Sequence, residues 1–438
     1  MIKLSHYRIT LIKHRRLNGL SVQPDEKGKR EVGKMIKIAI LGFGNIGSGV
    51  AQALELNQER ITQAAGEGME VKYIVDIADL SKSPYHDRVV RDFAVVEQDP
   101  EISVVVETIG GQRVAYDYTR RALLAGKNVV TSNKELVSEK GCELVQIAKE
   151  NGVSYLFEAS VGGGIPILQP LSQSLAANNI REIYGILNGT TNYILTRMFG
   201  ENAGFEDALR EAQALGYAEA NPAADVDGLD ACRKIAILAD LAFGVNISPA
   251  QVYTEGIRGI TAADTEFARD NGYVVKLLGR AVKRADGKIY VLVAPHFIEN
   301  TRPISAVSGV FNGICVNGDL VGETMFYGSG AGKLPTASAV VGDLVEIARR
   351  RGSCAAGWSE GREDFVADIG EMNLAYFARV HASDAAAFAR VFPEAQAFGV
   401  CGDFAGFLTS VLPESQFKER KAILAGGGVE ILSLIRKL

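Results

Sequence analysis

The side chains best suited to chemistry lie between residues 215 and 234, in the stretch LGYAEANPAADVDGLDACRK. This stretch is dense in charged groups, which are Glu219, Asp225, Asp227, Asp230, Arg233 and Lys234. A polar run followed at once by an apolar helix is a poor core element, but it suits a pocket for a small charged substrate. Lys234 lies four residues after Asp230, so on a helix the two side chains share one face.

Lys234 is the candidate proton carrier, because no Ser-His-Asp or Cys-His arrangement is evident in the sequence. The histidines fall outside every candidate segment; they are His6, His14, His86, His296 and His381. Burial and charged neighbours can tune the pKa of a lysine towards the working pH, which suits carbonyl and alcohol redox chemistry. The alternative is an ordinary surface pair of Asp230 and Lys234 on a helix.

A glycine-rich turn follows the apolar, β-branched run 36–41. It reads G-x-G-x-x-G, and its residues are Gly42, Phe43, Gly44, Asn45, Ile46 and Gly47. Between a strand and a helix this pattern allows a tight turn and lets a pyrophosphate approach the backbone at the helix N-terminus. The sequence therefore predicts a dinucleotide site. The alternative is a ligand-free turn, which a chain with 47 glycines can contain by chance.

Asp76 ends the second predicted strand, 71–75, where an acid can bind the adenosine ribose. It comes later than the usual spacing of about 20 residues because the polar segment 57–68 intervenes. A carboxylate there suits the free 2′-hydroxyl of NAD and repels a 2′-phosphate. Ile77 stands where an NADP-selective site often has an arginine. The sequence favours NAD with some use of NADP, and the alternative role for Asp76 is a strand-end turn.

Two later strand ends carry polar side chains. Residues 108–111 (TIGG) and 131–134 (TSNK) follow the predicted strands 104–106 and 129–130. The carboxyl ends of neighbouring parallel strands line the ligand crevice of a doubly wound sheet. Thr108 and Lys134 are therefore candidate site residues, although Lys134 could instead be a solvated surface charge.

Alternation of strands and helices up to residue 158 predicts an α/β fold with a doubly wound parallel sheet. Its helices are 46–56 and 115–124, and 155–158 is its last strand. From Gly162 the pattern changes to an α+β domain. Helices at 168–176, 205–215 and 229–243 alternate there with strands such as 183–187 and 288–295, and 337–351 is one further helix.

The last part of the chain predicts a small ferredoxin-like module with the element order β-α-β-β-α-β. Its strands are 373–380, 397–400, 407–411 and 429–435, and its helices are 385–392 and 415–424. The predicted organisation is a disordered extension (1–34), a Rossmann domain (35–160), a substrate-binding and dimerisation domain (161–330), a returning helix (331–352), a linker (353–370) and the module (371–438). We expect the module to fold independently and its edge strands to pair with a second copy.

Composition excludes several classes of protein. The net charge of −5 argues against a general nucleic-acid binder, and no run approaches 18 apolar residues, so no membrane span is predicted. The cysteines are scattered and form no C-x-x-C pair; they are Cys142, Cys232, Cys315, Cys354 and Cys401. Such cysteines are typical of reduced thiols, which predicts a cytoplasmic protein.

Six segments together resemble one known family. They are GFGNIG (42–47), TSNK (131–134), EASVGGGIPI (158–167), NGTTNYI (188–194), the stretch 215–234, and GAGKLPTASAVVGD (330–343). In this order they closely resemble homoserine dehydrogenase. The resemblance implies a homodimeric or homotetrameric NAD(P)-dependent enzyme that interconverts L-aspartate 4-semialdehyde and L-homoserine, on the route to threonine, methionine and isoleucine.

The resemblance also implies individual roles. Lys234 matches the acid/base lysine, and Lys134 matches a lysine between cofactor and substrate. The substrate-binding residues would be Glu219, Asp225, Asp230, Gly189 and Thr190, and the added cofactor contacts would be Gly216 and Gly330. Glu158, Val161, Gly163 and Ile165 match a loop for Na⁺ or K⁺, since three backbone carbonyls and one carboxylate form a weak, hard-oxygen site.

Two departures from the family pattern limit these implications. Asn221 stands where the family has an Asp, which we expect to matter little. The C-terminal module resembles an ACT domain, but residues 382–386 (ASDAA) replace the D-x-P-G-V-L turn. Without that glycine the loop cannot approach an amino-acid ligand, so a structural or oligomerising role competes with threonine inhibition. The alternatives for the whole chain are another semialdehyde dehydrogenase, using Cys232 as nucleophile, or a non-catalytic sensor.

Overall fold

The computed structural model describes residues 35–350 and 365–438. The predicted N-terminal extension, Cys354 and most of the predicted linker lie outside the described residues. The first sheet consists of β1 Ile36–Leu41, β2 Met69–Val75, β3 Val89–Val90, β4 Ile102–Glu107, β5 Asn128–Thr131 and β6 Tyr155–Leu156. These strands are parallel and lie in the order β3-β2-β1-β4-β5-β6, the order of dinucleotide-binding sheets. The predicted α/β class is confirmed.

Helices cover both faces of this sheet. The helices of this part are α1 Asn45–Leu56, α2 Gln58–Ala65, α3 Ala94–Gln98, α4 Arg113–Leu124 and α5 Lys134–Glu150. In β1, Ile38 and Ile40 belong to the core under α1, whereas Ala39 and Leu41 belong to the core under α4 and α5. A strand that is buried on both faces has to be apolar throughout, which explains the unbroken run 38–41.

The remaining part of the chain is α+β. Its strands are β7 Ile180–Ile186, β8 Tyr253–Thr254, β9 Tyr273–Lys283, β10 Ile289–Glu299, β11 Phe311–Gly318, β12 Gly322–Ser329, β13 Asn373–Leu374, β14 Tyr376–His381, β15 Gln396–Cys401, β16 Phe404–Leu408, β17 Leu412–Pro413 and β18 Ser433–Lys437. Its helices are α6 Leu168–Ser172, α7 Gly189–Glu201, α8 Phe205–Ala214, α9 Ala223–Val226, α10 Leu229–Phe243, α11 Ala262–Asp270, α12 Lys333–Arg350, α13 Ala385–Val391 and α14 Glu414–Gly426. Among the described residues, no helix is long and apolar enough to cross a membrane.

A second sheet organises these elements. Its strands follow the order β12-β11-β7-β9-β10-β18-β14-β16-β15, and β8 pairs with β10 from the side. The long hairpin of β9 and β10 forms its centre, and α7 and α10 pack on one face. Helix α12 returns to the first sheet, where Ala337 and Val340 share a core with Val50 of α1. This helix starts at Lys333, four residues before its predicted start.

The structure corrects three predicted elements. Glu158 does not extend the last strand of the first sheet but lies in a 3₁₀ turn, Glu158–Ser160. The helix predicted at 168–176 ends at Ser172. Part of the predicted linker is ordered against β10, because Phe365 and Ala367 make backbone hydrogen bonds with Ile289 on either side of a bridge at Val366. Its apolar side chains explain this attachment.

The C-terminal segment has the predicted order β-α-β-β-α-β, and its strands lie antiparallel as β18-β14-β16-β15. However, β18 also pairs in parallel with β10, where Arg436 lies opposite His296. The segment therefore continues the second sheet. Its independent folding stays a prediction, and this continuity argues against it.

Two ion pairs, each with a buried arginine, reinforce the junction. Arg379 of β14 donates from Nε to Asp264 of α11 at 2.8 Å, with side-chain exposures of 5% and 0%. Arg436 of β18 binds Glu255 at 2.6 Å. Charges buried this deeply are stable only in pairs, so each arginine fixes the C-terminal segment at one place on the preceding part of the sheet.

We predict that Arg379→Met lowers the free energy of unfolding by about 3–5 kcal/mol, because it leaves the Asp264 carboxylate buried without its cation. Urea titration followed by circular dichroism measures this loss. Arg210→Met is the matched control, since Arg210 pairs with Asp207 on the exposed surface of α8 and should contribute about 1 kcal/mol or less. Equal effects of the two substitutions would contradict the prediction.

Candidate active site

The glycine-rich turn has the geometry of a phosphate-binding loop. Gly42 adopts a φ of +83°, and an added Cβ there would meet the Thr108 carbonyl oxygen at 2.9 Å. Gly44 is exposed, has open space beside it and caps α1 without a side-chain hydrogen bond. Gly47 packs against the Gly42 carbonyl oxygen. The open side of the loop and the helix N-terminus therefore face the same space, which fits a pyrophosphate.

Asp76 lies beside this loop at the end of β2. Its carboxylate accepts hydrogen bonds from the backbone N–H groups of Phe43 at 2.5 Å and Ala78 at 2.7 Å. Arg91 lies beside it and donates to the backbone oxygens of Asp76 and Ala78. The sequence reasoning missed this arginine, because only the sheet brings β3 next to the end of β2. The end of β2 thus has both an acid and a nearby cation.

The loops after β4 and β5 meet beside the phosphate loop. Thr108 donates its hydroxyl to the carbonyl oxygens of Leu41 at 3.0 Å and Gly42 at 2.7 Å. Asn133 caps α5 by accepting from Leu136 N–H, and its amide donates to the Ile109 carbonyl oxygen. Lys134 is consequently the first residue of α5, at the carboxyl edge of the sheet.

A buried cluster of charges lies opposite this edge. Asp230, in the first turn of α10, binds Lys134 Nζ at 2.5 Å through Oδ1 and Lys234 Nζ at 2.7 Å through Oδ2. Lys234 Nζ also donates to the Leu187 carbonyl oxygen at 2.8 Å. Lys234 is therefore not an exposed surface residue: its side chain is only 10% exposed. The cluster joins α5 of the nucleotide-binding part to α10 of the second part.

Asn188 extends the cluster and was not singled out as a site residue from the sequence. Its Nδ2 donates to Asp225 Oδ1 at 2.7 Å and to Asp230 Oδ2 at 2.9 Å. Its Oδ1 accepts from Thr191 N–H, so the same side chain caps α7. An Asn ahead of a helix start is a usual cap signal, but only the tertiary fold gives it the two carboxylates.

Burial and charge set the ionisation of the cluster. Burial would raise the pKa of Asp230, but Lys234 and Lys134 outweigh it and hold that pKa well below its usual range. Burial lowers the pKa of Lys234, and Lys134 lowers it further while Asp230 opposes the shift. Burial raises the pKa of Asp225, with a contribution from Asp230. The result is a lysine with a proton that is easier to release than usual.

The other residues predicted to bind substrate or cofactor lie at the start of α7 and in the loop between α8 and α9. Gly189 starts α7 and packs on the Val310 carbonyl oxygen, and Thr190 donates to the Tyr217 carbonyl oxygen at 2.6 Å. Glu219 is exposed in the loop between α8 and α9, where only its backbone oxygen has a hydrogen bond within the described ranges. Gly216 is exposed in the same loop, with a φ of +74°.

The loop predicted to bind a cation lies near the hinge between the two sheets. The Glu158 carboxylate is buried and accepts three backbone N–H groups at the start of α6, from Ile167, Leu168 and Gln169. Burial raises its pKa, against the effect of these bonds. Val161 and Ile165 are buried, and Gly163 has a φ of +57°. No group of three or more His, Cys, Asp or Glu side chains suited to a metal occurs among the described residues.

Gly330 connects this loop with β11. An added Cβ at Gly330 would overlap the amide of Asn312, and one at Gly163 would meet the Gly330 carbonyl oxygen at 2.5 Å. These contacts leave room only for glycine. Gly330, the predicted cofactor residue just ahead of α12, thus packs against the loop that is predicted to bind a cation.

A phosphate-binding loop on a dinucleotide-binding sheet, together with a Lys134–Asp230–Lys234 cluster at the carboxyl edge of that sheet, is typical of an NAD(P)-dependent oxidoreductase. The family model described as the homoserine dehydrogenase NAD-binding domain matches residues 42–158, and the homoserine dehydrogenase model matches residues 166–345. The chain belongs to the homoserine dehydrogenase family, which confirms the resemblance and excludes the semialdehyde dehydrogenase and sensor alternatives.

Individual relatives agree. The homoserine dehydrogenase of Helicobacter pylori is 44% identical over 80% of this chain and 83% of its own length. That of Bacillus subtilis is 44% identical over 72% of this chain and 73% of its own. The crystal structure of a homoserine dehydrogenase from Thiobacillus denitrificans has a TM-score of 0.85 at 36% identity, over 92% of this chain and 98% of that one. A hyperthermophilic archaeal homoserine dehydrogenase in complex with NADPH has a TM-score of 0.61 at 28% identity, over 72% of this chain and 98% of that one.

Proposed function

We propose that Lys234 protonates the carbonyl oxygen of L-aspartate 4-semialdehyde during its reduction to L-homoserine. The observation that carries this proposal is the buried contact of Lys234 with Asp230, beside the crevice where the phosphate loop opens. Bound NAD(P)H supplies the hydride. Lys234 holds its proton against Asp230 and the Leu187 carbonyl oxygen, and its lowered pKa favours transfer to a developing alkoxide.

The carboxylates of the pocket suit the ammonium group of the substrate. Asp225 is half-buried, and its only side-chain partner within the described ranges is Asn188. Asp230 already binds two lysines and Asn188, so it serves mainly to hold Lys134 and Lys234 in place. Glu219 is exposed in the loop between α8 and α9, so its proposed contact with the substrate ammonium does not depend on the buried cluster. Lys134, as the residue between the two sheets, orients the substrate carbonyl towards the cofactor.

We predict that Lys234→Ala lowers kcat by roughly 100-fold or more, the usual scale of general acid–base catalysis, while NAD(P)H still binds. Steady-state rates and a fluorescence titration of the cofactor measure the two effects separately. Lys418→Ala is the matched control, because Lys418 also pairs with an acid four residues away on a helix, Glu414, but is 59% exposed. A kcat close to that of the unchanged enzyme in Lys234→Ala would refute the role.

For the cofactor, we infer use of both NADH and NADPH. The Asp76 carboxylate retains free lone pairs for ribose hydroxyls after accepting two N–H groups, since a carboxylate offers about four acceptor positions. The neighbouring Arg91 corrects the expectation that no arginine accompanies the acid, and its guanidinium can bind a 2′-phosphate. The relative in complex with NADPH is consistent with this inference.

We predict that Asp76→Ser raises the ratio of kcat/KM for NADPH to that for NADH by roughly tenfold, since a hydrogen bond to a charged group is worth about 1.5–3 kcal/mol. Loss of the bond to Phe43 N–H weakens both cofactors alike, so the ratio isolates the effect at the ribose. Asp79→Ser, three residues further along the exposed turn, serves as the control. An unchanged ratio would mean that Asp76 does not contact the ribose.

A monovalent cation is proposed at residues 158–165. Carbonyl oxygens of Val161, Gly163 and Ile165 would hold it, and the Glu158 carboxylate has about one acceptor position left after its three N–H bonds. Such a site lies against Gly330 and would stiffen the hinge between the sheets. Its positive charge would also offset the two neighbouring buried acids, Glu158 and Asp343. Burial, and then the charge of Glu158, raise the pKa of Asp343 to about 8.

We expect rates in Na⁺ or K⁺ salts to exceed those in a tetramethylammonium salt of equal ionic strength, because a bulky cation cannot enter a site formed by backbone carbonyls. Initial rates at saturating substrates measure this difference. Equal rates in all three salts would remove the proposed site.

Assembly and location are also proposals. Strand β12 is one edge of the second sheet, and the rings of Phe311 and Tyr327 lie there 5.4 Å apart and 39% and 57% exposed. An apolar edge of this kind suits pairing with a second copy, in a homodimer or homotetramer whose size light scattering measures. Cys232, Cys315 and Cys401 are free thiols, which supports a cytoplasmic location.

A further inference from the structure

Glu107 is a fully buried carboxylate at the carboxyl end of β4. Its Oε1 accepts a hydrogen bond from Ile109 N–H at 2.6 Å, and its Oε2 accepts one from the Thr131 hydroxyl at 2.5 Å. No cation contacts it within the described ranges. A carboxylate in this position is costly to bury, and these bonds compensate for only part of the cost.

The partners of Glu107 belong to two separate loops. Ile109 lies in the loop that follows β4, and Thr131 starts the turn that follows β5. Thr131 Oγ1 also accepts from Asn133 N–H at 2.9 Å, and Asn133 Nδ2 donates to the carbonyl oxygens of Ile109 at 3.1 Å and Gly111 at 2.7 Å. One side chain therefore ties residues 108–111 to residues 131–134 through a closed set of hydrogen bonds.

Each of these loops supports a different part of the reaction. Thr108 holds the backbone of the phosphate loop through the Leu41 and Gly42 carbonyl oxygens. Asn133 caps α5, and the next residue, Lys134, reaches Asp230. Glu107 itself lies behind both loops, where neither substrate nor cofactor can touch it.

We propose that Glu107 is a positioning residue: in its ionised form it fixes residues 108–111 and 131–134 in the arrangement that receives NAD(P)H. The proposal rests on the assignment of the crevice as the cofactor site, but not on the role of Lys234. Ionisation matters because the charged carboxylate accepts both bonds, from Ile109 N–H and from the Thr131 hydroxyl, as charge-assisted hydrogen bonds, which are stronger than neutral ones. Protonation at Oε2 removes the charge and reverses the second bond, because the carboxyl then donates to Thr131 Oγ1.

The electrostatics place this change near neutral pH. Burial raises the pKa of Glu107 to about 7, against the hydrogen bonds from Thr131, Ile109 and Asn133. The titratable group that faces it is the buried Tyr155 hydroxyl of β6, whose pKa is raised by burial and then by Glu107. Tyr155 therefore stays neutral where Glu107 titrates. Since the ionised form holds the loops, cofactor affinity should increase as pH rises through about 7 and level off above it.

The test is the Kd for NADH as a function of pH, measured by fluorescence titration without substrate. The unchanged enzyme should bind more weakly below about pH 7, by at most roughly tenfold per pH unit for one linked proton. Glu107→Gln should abolish this inflection and bind several-fold more weakly above it. A profile that keeps its inflection in Glu107→Gln, or a flat profile in the unchanged enzyme, would overturn the proposal.

Thr131 gives a second test that keeps Glu107 in place. Thr131→Val removes a hydrogen bond to the ionised form, so the inflection should move to higher pH, whereas Thr131→Ser should restore it. An inflection that stays in place or moves to lower pH in Thr131→Val would contradict the proposal, and this variant decides the matter if Glu107→Gln does not fold.

Asp240→Asn is the matched control. Asp240 is another fully buried acid with a raised pKa, bound to Ile247 N–H at the far end of α10. The Asp240→Asn variant should show the same inflection in Kd as the unchanged enzyme. Loss of the inflection in Asp240→Asn would mean that the pH effect comes from buried acids in general and not from Glu107. Because the readout is binding, a failed proton-transfer role for Lys234 would appear only in kcat and would leave this test unaffected.

Discussion

The site depends on the two ion pairs that the Asp230 carboxylate forms with Lys134 and Lys234. Two lysines approach it from different parts of the fold, Lys134 from the first sheet and Lys234 from its own helix. Asp230 and Lys234 are buried charges that are stable only as a pair, and Lys134, whose side chain is 41% exposed, binds the same carboxylate from the edge of the first sheet. The starts of α5 and α10 must therefore meet. Local devices achieve this: Asn133 caps α5, and Gly228 adopts a φ of +83° to turn the chain into α10.

The end of the chain supports this site from behind. Glu255, which Arg436 binds from β18, precedes Gly256, and an added Cβ at Gly256 would meet the Val226 carbonyl oxygen at 2.2 Å. The backbone carrying Asp225 thus rests directly on a segment that the last strand holds.

Much of the fold was predictable because its signals are local. The strand at 36–41 and the helix at 229–243 have the predicted bounds, since apolar runs and helical spacing define them independently of the rest. Glu158 was wrongly placed in a strand because its carboxylate caps α6 through a hydrogen bond to Ile167, nine residues further along the chain, which strand periodicity does not encode. The pairing of β18 with β10 likewise depends on strands far apart in sequence.

The candidate site also contains residues with a local sequence signal and residues whose contacts are distant in sequence. Lys234 and Asp230 were found because helical spacing links them, and the phosphate loop was found because its three glycines lie within six residues of the chain. Asn188, Arg91 and Glu107 were missed as site residues because each acts on groups that only the folded sheet brings near. Charged residues in sequence therefore indicate where the reacting groups lie, whereas the residues that orient them become visible only in three dimensions.

The arrangement also constrains how the substrate enters. Asp230 accepts hydrogen bonds from Lys234 and Asn188 at Oδ2 and forms the ion pair with Lys134 at Oδ1, whereas Asp225 accepts only from Asn188 among the described residues. On the proposed mechanism the ammonium therefore binds on the Asp225 side, and the carbonyl points to the lysines. This orientation keeps like charges apart, because it places the ammonium away from Lys134 and Lys234. On this proposal the acidic stretch has two separate tasks: Asp225 recognises the substrate, and Asp230 holds the two lysines in place for the reaction.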